Sequence, residues 1–184
     1  MRAHAKFAVQ GGMIVLIGLL VALLAWKVIG DSQGRHLPSA VAQGKLPEAP
    51  QFELPLFSDG SMLELSALRG RAVVINFWSS WCDPCRDEAP IFENAWRKYR
   101  DRGLTVVGVG RQDALDDARL FIEEFSLTYP NVRDTEDILE RRYGLTGVPE
   151  TYFVNRQGRL VAHIPGAIDE FSDLQPGIEA ALSE

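Results

Sequence analysis

The sequence predicts an α/β domain: a central mixed β-sheet flanked by helices, with an N-terminal β-hairpin and a single N-terminal transmembrane helix. Three observations predict it. The β-branched and aromatic run Ala72–Trp78, the helix-periodic stretch Glu88–Arg102 and the apolar run Leu104–Val109 form a strand–helix–strand unit. Its two strands are expected to be parallel, joined by a right-handed crossover. Thr151–Val154 and Arg159–Ile164 flank Asn155-Arg156-Gln157-Gly158, a hairpin signal that adds antiparallel strands to the same sheet. Finally, Phe7–Ile29 is apolar apart from Gln10 and Lys27, long enough to cross a hydrocarbon core of about 30 Å.

In chain order, Arg2, His4 and Lys6 precede the apolar run, which places residues 1–6 in the cytoplasm and the remainder outside. A cleaved signal peptide is the rival reading. Ala40-Val41-Ala42 has the small-x-small form, but it lies well beyond the apolar run, so residues 7–29 are read as an uncleaved anchor. Residues 30–49 are polar, rich in Gly, Pro, Ser and Gln and without periodicity, and read as a tether. The globular domain is expected over 50–184. Gln51–Leu56 alternates like a strand, Ser58-Asp59-Gly60-Ser61 is a turn, and Met62–Leu65 returns as its partner. Ser66–Gly70 reads as one helical turn closed by glycine. After the strand–helix–strand unit, Asp113–Phe125 is an amphipathic helix and Tyr129–Arg133 a short strand. Glu136–Tyr143 is a short helix stopped at Gly144, and Phe171–Leu182 closes the chain as a helix. Tyr152 and Phe153 alternate on a strand, so one of them is expected in the core.

The net charge of −6 is unevenly spread. Of 19 Lys and Arg, Arg2, Lys6 and Lys27 lie in residues 1–30, leaving 16 against all 25 acids, a net of −9 beyond the anchor. An acidic globular part is a poor nucleic-acid binder, so no nucleic acid is expected as a partner.

The only two cysteines lie in Trp81-Cys82-Asp83-Pro84-Cys85-Arg86, at the junction between a strand and a helix. There the unpaired N–H groups and positive end of the helix dipole favour a thiolate on Cys82. Cys85 is placed to attack a mixed disulfide formed on Cys82. Other uses of two cysteines fit less well. A structural disulfide over so short a loop constrains the unfolded chain little. A zinc site lacks ligands, since His4, His36 and His163 are the only histidines, and no metal is expected. Haem attachment requires a histidine after the second cysteine, where Arg86 stands.

Phe77-Trp78-Ser79-Ser80-Trp81-Cys82-Asp83-Pro84-Cys85, with Gly147-Val148-Pro149 downstream, resembles the thioredoxin-fold oxidoreductases. The anchor, Ala49-Pro50-Gln51-Phe52-Glu53-Leu54-Pro55 and Cys85-Arg86-Asp87-Glu88-Ala89-Pro90 resemble the membrane-anchored, extracytoplasmic TlpA/ResA/CcmG (DsbE) branch. Gly147–Thr151 and Leu37-Pro38-Ser39 are most similar to CcmG members, which serve cytochrome c maturation. The resemblance covers residue 37 to about residue 180. It implies a thioredoxin-like fold on the periplasmic side of the inner membrane and no cofactor beyond the Cys82–Cys85 dithiol. It further implies electrons received from a DsbD/CcdA-type membrane protein and delivered to the Cys-x-x-Cys-His of apocytochrome c.

Residue by residue, Pro149 matches the family's cis-proline, which packs on the dithiol and presents the preceding backbone, here Val148, to an extended substrate. Asn76 stands where cytoplasmic thioredoxins carry a buried acid, and is a poor proton acceptor for Cys85. Glu88 matches the acid that this branch carries three residues after the second cysteine. Three residues apart on a helix, Glu88 and Cys85 are neighbours, so Glu88 could exchange protons with the dithiol. The alternative is a first-turn acid that complements the helix dipole. Trp78, Trp81 and Val148 suit an apolar rim around Cys82, with Trp78 the one of the three better read as core. Arg111, Gln112 and Asp113, at the C-terminal end of the second strand, are either substrate contacts or a solvated loop. Pro84 resembles reducing thioredoxins, and Asp83 disfavours a very acidic thiolate, so a reductase is expected. A general thiol oxidase or isomerase shares the motif. Reductive signalling or spore maturation is a related role within the branch. A tethered, non-catalytic holder of apocytochrome is the non-enzyme reading. The peroxiredoxin pattern Pro-x-x-x-Thr/Ser-x-x-Cys is missing ahead of Cys82.

Overall fold

The apolar alternation of the central strand divides the core in two, and a computed structural model shows how; it describes residues 17–26 and 36–183. The chain forms two compact units, residues 1–33 and 34–184. In the first, residues 17–26 are helical and exposed. The remainder of the expected anchor, 7–16 and 27–29, lies outside the described residues, as do residues 1–6. Among the described residues no helix is long and apolar enough to cross a membrane.

The second unit runs α1 (Leu37–Ala42), β1 (Glu53–Pro55), β2 (Met62–Glu64), β3 (Ala72–Trp78), α2 (Asp83–Tyr99), β4 (Leu104–Arg111), α3 (Leu115–Glu124), β5 (Asn131–Asp134), α4 (Ile138–Tyr143), β6 (Glu150–Val154), β7 (Leu160–Pro165) and α5 (Phe171–Ser183). The main sheet has the order β5-β4-β3-β6-β7, and β1 and β2 pair separately as the N-terminal hairpin. β3 is parallel to β4 and antiparallel to β6, so the sheet is mixed, with the expected βαβ unit at its centre.

In β3, Ala72, Val74 and Trp78 point to one side, onto Phe92 and Ala95 of α2, Ala118 and Phe121 of α3, and Leu174 and Ile178 of α5. Val73, Ile75 and Phe77 point to the other, onto Val41 of α1, Leu139 and Tyr143 of α4, Leu54 of β1 and Phe52 just before it. Period-two alternation in a strand covered on both faces buries every position, and all seven residues of β3 are buried. The same reasoning corrects one expectation. Tyr152 and Phe153 are both fully buried, on opposite faces of β6, because helices cover the sheet on either side.

The stretch read as a tether without periodicity carries α1. Pro38 sits at its start, where a missing N–H costs nothing, and Val41 is buried. Six residues are too few for periodicity to register. The chain after it is also docked: Ala49 is buried and Glu48 bridges Arg159. The 3₁₀ turn Leu65–Leu68 replaces the helical turn expected after the hairpin.

Close packing at the top of the sheet depends on two glycines of β4. Gly108 and Gly110 lie opposite Asn76 and Trp78 of β3. A Cβ at Gly108 would stand 2.0 Å from Asn131 Oδ1 and 2.8 Å from Trp78 Nε1. Glycine there leaves room for the indole N–H of Trp78 to donate to Asn131 Oδ1 at 3.1 Å. The ring of Trp78 stacks on Phe121, centroids 4.4 Å apart. Trp78 is therefore core, and not part of a substrate rim.

Candidate active site

β3 ends at Trp78 and α2 starts at Asp83, so residues 79–82 form a short loop at the C-terminal end of the sheet. Each residue ahead of the first cysteine is fastened to the segment that follows β4. Ser79 Oγ donates to Arg111 O at 2.7 Å. Ser80 donates its N–H to Asp113 Oδ2 at 2.5 Å and its hydroxyl to Oδ1 at 2.8 Å. The Trp81 indole donates to Gln112 O at 3.0 Å. Arg111-Gln112-Asp113 is thus a buttress for the cysteine loop. Its own support comes from Arg111, which is buried and paired with Asp137 and Glu140.

Cys82 is the N-cap of α2, in extended backbone, and its Sγ accepts the Cys85 N–H at 3.3 Å. That N–H is one of the donors a helix start leaves unmet, and Pro84 in the first turn removes another. A thiolate on Cys82 is stabilised by this contact and by the dipole of a 17-residue helix. The structure holds the oxidised form, a Cys82–Cys85 disulfide with Cα atoms 5.3 Å apart. Cys82 keeps 6% of its surface exposed and Cys85 only 1%, so Cys82 is the sulfur an incoming substrate reaches first. Trp81 beside it is 60% exposed.

Behind the dithiol, Glu88 is 1% exposed. Its Oε1 accepts the Asn76 side-chain amide at 2.8 Å and its Oε2 the Ile168 N–H at 3.0 Å. Burial raises its pKa from 4.5 to about 7, against the pull of those two hydrogen bonds. Glu88 lies past the first turn of α2, where Asp83 is the acid, so it does not serve as a solvated dipole complement. Asn76 acts here as a donor to Glu88, with a second contact to Thr151 Oγ at 3.3 Å. A carboxyl titrating near neutral pH, one turn of helix from Cys85, is suited to take the thiol proton of Cys85 and return it.

The Val148–Pro149 peptide bond is cis. Val148 packs against the core cluster that contains both cysteines, and Glu150 pairs with Phe77, which sets Pro149 beside the end of β3. The structure therefore gathers Trp81, Cys82, Cys85, Glu88, Val148 and Pro149 around one end of the sheet. Among the described residues no group of His, Cys, Asp and Glu is placed to hold a metal ion.

Two further residues support the site and were not singled out in the sequence. Glu150 is buried, and its Oε1 accepts from Thr146 N (2.6 Å), Thr146 Oγ (2.7 Å) and Gly147 N (3.2 Å), gripping the loop that leads into the cis bond. Its Oε2 lies 2.9 Å from His163 Nε2. Burial pushes the Glu150 pKa up, but the bonds from His163 and Thr146 outweigh it and hold the carboxyl below its ordinary value. A glutamate at the start of an apolar strand and a histidine within the next one are the available signal, because buried charge demands a partner.

The sequence model of the AhpC/TSA family matches residues 47–163. Thiol-disulfide oxidoreductase ResA of Oceanobacillus iheyensis is 35% identical over 157 residues, covering 82% of this chain and 78% of the relative. ResA of Bacillus subtilis is 26% identical over 162 residues, covering 86% and 87%. A structure from Chlorobium tepidum named for the thiol:disulfide interchange protein DsbE superposes with a TM-score of 0.70 at 30% identity, covering 74% of this chain and 96% of that one. A cysteine pair that forms a disulfide at a helix start, on a fold shared with these relatives, leaves one assignment: this chain belongs to the AhpC/TSA family, as a thioredoxin-like thiol-disulfide oxidoreductase of the ResA/DsbE type.

Proposed function

We propose that this oxidoreductase is a protein-disulfide reductase working outside the cytoplasm, tethered by residues 7–29 to the inner membrane, and that it reduces the haem-binding cysteines of apocytochrome c during cytochrome c maturation. The carrying observation is the setting of the dithiol: one reachable sulfur on Cys82, flanked by the exposed Trp81 and the cis Val148–Pro149 segment, with Glu88 buried behind it. Such a surface suits an unfolded, disulfide-bearing polypeptide better than a small substrate. Cys82 as thiolate attacks the substrate disulfide, forming a mixed disulfide and releasing one substrate thiolate. Cys85, losing its proton to Glu88, attacks the Cys82 sulfur, closes the Cys82–Cys85 disulfide and frees the second substrate thiolate. The two electrons that leave the dithiol are replaced by a membrane donor of the DsbD/CcdA type.

Direction is supported by Asp83, the acid in the first turn of α2, whose charge opposes the thiolate and so leaves the reduced pair less stabilised. The compartment is supported by the apolar 7–29 run behind Arg2 and Lys6. The relatives' ResA and DsbE names agree with the branch that the motifs resemble. The test is the equilibrium reduction potential of the full chain against a dithiothreitol or glutathione buffer. A value near that of thioredoxin, about −270 mV, is expected; one nearer the DsbA figure of about −120 mV would make the chain an oxidant and overturn the proposal. The full-length chain is also expected to stay with membranes after an alkaline wash, and release of a fragment beginning near Gln43 would show cleavage instead.

A further inference from the structure

Away from the dithiol, one buried donor is unmet. Arg133, in β5, is half-buried, and its Nε is buried without a hydrogen-bond partner, alone in this among the side-chain nitrogens and oxygens of the described residues. Such atoms are rare in folded proteins because a buried donor without a partner has given up its water and gained no bond in return. No ion pair among the described residues includes Arg133.

Beside it lies a cleft of about 300 Å³, lined by Gly110, Gln112, Asp113, Arg133, Asp134 and Thr135. The cleft stands at the C-terminal ends of the parallel strands β4 and β5, the edge where open α/β sheets place their sites. Both carboxylates in its wall are engaged. Asp113 holds Ser80, and Asp134 accepts the N–H groups of Ile138 (3.0 Å) and Leu139 (2.8 Å) at the start of α4. Arg133 is the one cation of the wall, and a guanidinium fork matches a carboxylate better than any other side-chain acceptor.

The cleft is joined to the active site by its own wall. Gln112 carries the carbonyl that holds the Trp81 indole, and Asp113 holds Ser80. That wall is preformed: Gln112 adopts a left-handed backbone, φ 48°, and its side-chain amide is tied to Asp137 Oδ2 at 2.9 Å. Trp81 is bonded to Gln112 of the cleft wall, so the cleft adjoins the exposed surface beside Cys82, within reach of the flank of a polypeptide whose disulfide lies at Cys82, at about 3.3 Å per extended residue.

We infer that the cleft is a substrate subsite that takes the carboxylate of an Asp or Glu flanking the reactive disulfide, with Arg133 as its specificity determinant. The inference rests on the reductase reading above and adds a preference that the dithiol alone does not supply.

The test mixes the pre-reduced full chain with disulfide peptides that differ at one position, a few residues from the cysteine, carrying Glu, Gln or Lys there. Position is scanned along the flank, and the rate of peptide reduction is followed. At the responsive position the Glu peptide is expected to outpace the Gln peptide about tenfold, the size of one hydrogen bond between charged partners. Arg133→Gln brings the ratio to about one, and Arg133→Glu reverses the order in favour of Lys. Loss of fold slows all peptides alike and cannot reverse an order. Equal rates at every position in the unaltered chain, or a Glu preference that survives Arg133→Glu, would overturn the subsite and leave the reductase standing. Reduction of none of the peptides would remove the reductase reading and the subsite with it.

Discussion

Replacing Glu88 by Gln separates the energetic cost of this carboxyl from its chemistry. The unfolded chain ionises it near 4.5 and the native chain at about 7, so between those values the native state keeps a proton that the unfolded state has released. Stability contributed by the neutral acid is complete below pH 4.5 and is lost as pH rises through 7. At 1.36 kcal/mol per pH unit, the loss between pH 4 and pH 8 is about 3 kcal/mol. Glutamine carries no such penalty at any pH. It does have one acceptor oxygen for two donors, the Asn76 amide and the Ile168 N–H, so one of them faces an NH₂ group. A lost buried hydrogen bond costs about 1 kcal/mol. Glu88→Gln is therefore expected to be less stable than the unaltered protein by about 1 kcal/mol at pH 4, and more stable by about 2 kcal/mol at pH 8. Urea unfolding of the oxidised form at both pH values measures this. Parallel stability curves for the two proteins would mean that Glu88 is not held neutral, and the reasoning would fall. With the disulfide reduced, the same substitution should shift the pH profile of cysteine alkylation, and an unchanged profile would remove Glu88 from proton exchange.

Three other outcomes follow from the same contacts. Cys85→Ser should accumulate a mixed disulfide between Cys82 and a substrate polypeptide on non-reducing gels, while Cys82→Ser should not; adducts on the second variant alone would exchange the two roles. Glu150→Gln should cost about 1–3 kcal/mol, since it weakens the bonds to Thr146, Gly147 and His163. Because the Glu150 pKa is depressed, its contribution is present above pH 4.5 and lost as pH falls through the lower native value, so the variant's acid limb should be flatter; an unchanged limb in urea melts would refute the pairing. Gly108→Ala should break the Trp78–Asn131 bond by overlap and cost about 2 kcal/mol, visible as a changed near-ultraviolet signal of tryptophan. An unaltered signal with full stability would show that the site relaxes.

What the sequence could reveal depended on whether a signal was local. The Cys82–Cys85 dithiol, β3 and the helix that carries Cys85 are written in contiguous residues with their own periodicity, so they were legible without a fold. The hairpin β6–β7 was legible for the same reason. Glu88 was found by its match to the family pattern and its helix spacing from Cys85, but whether it was solvated or buried depended on Asn76 and Ile168, which are 12 and 80 residues away in the chain. The segment Arg111-Gln112-Asp113 could be placed at the correct edge of the sheet, yet its task, holding Ser79, Ser80 and Trp81, exists only once β3 and β4 lie side by side. Tyr152 and Phe153 were split between core and surface by a rule suited to a sheet with one wet face; this sheet has none at β6. Glu150 and His163 sit in strands of otherwise apolar residues, and the misfit itself was the clue. Two buried glutamates then titrate in opposite senses, Glu88 upward and Glu150 downward, according to how the depth of burial, greater at Glu88, weighs against the hydrogen bonds each can gather. Glu88 receives two, from an amide and a backbone N–H, and titrates near pH 7, as a group that takes and returns a proton behind the dithiol must. Glu150 receives three on one oxygen and a histidine on the other and stays charged, as a fixed clamp on the cis-proline loop must.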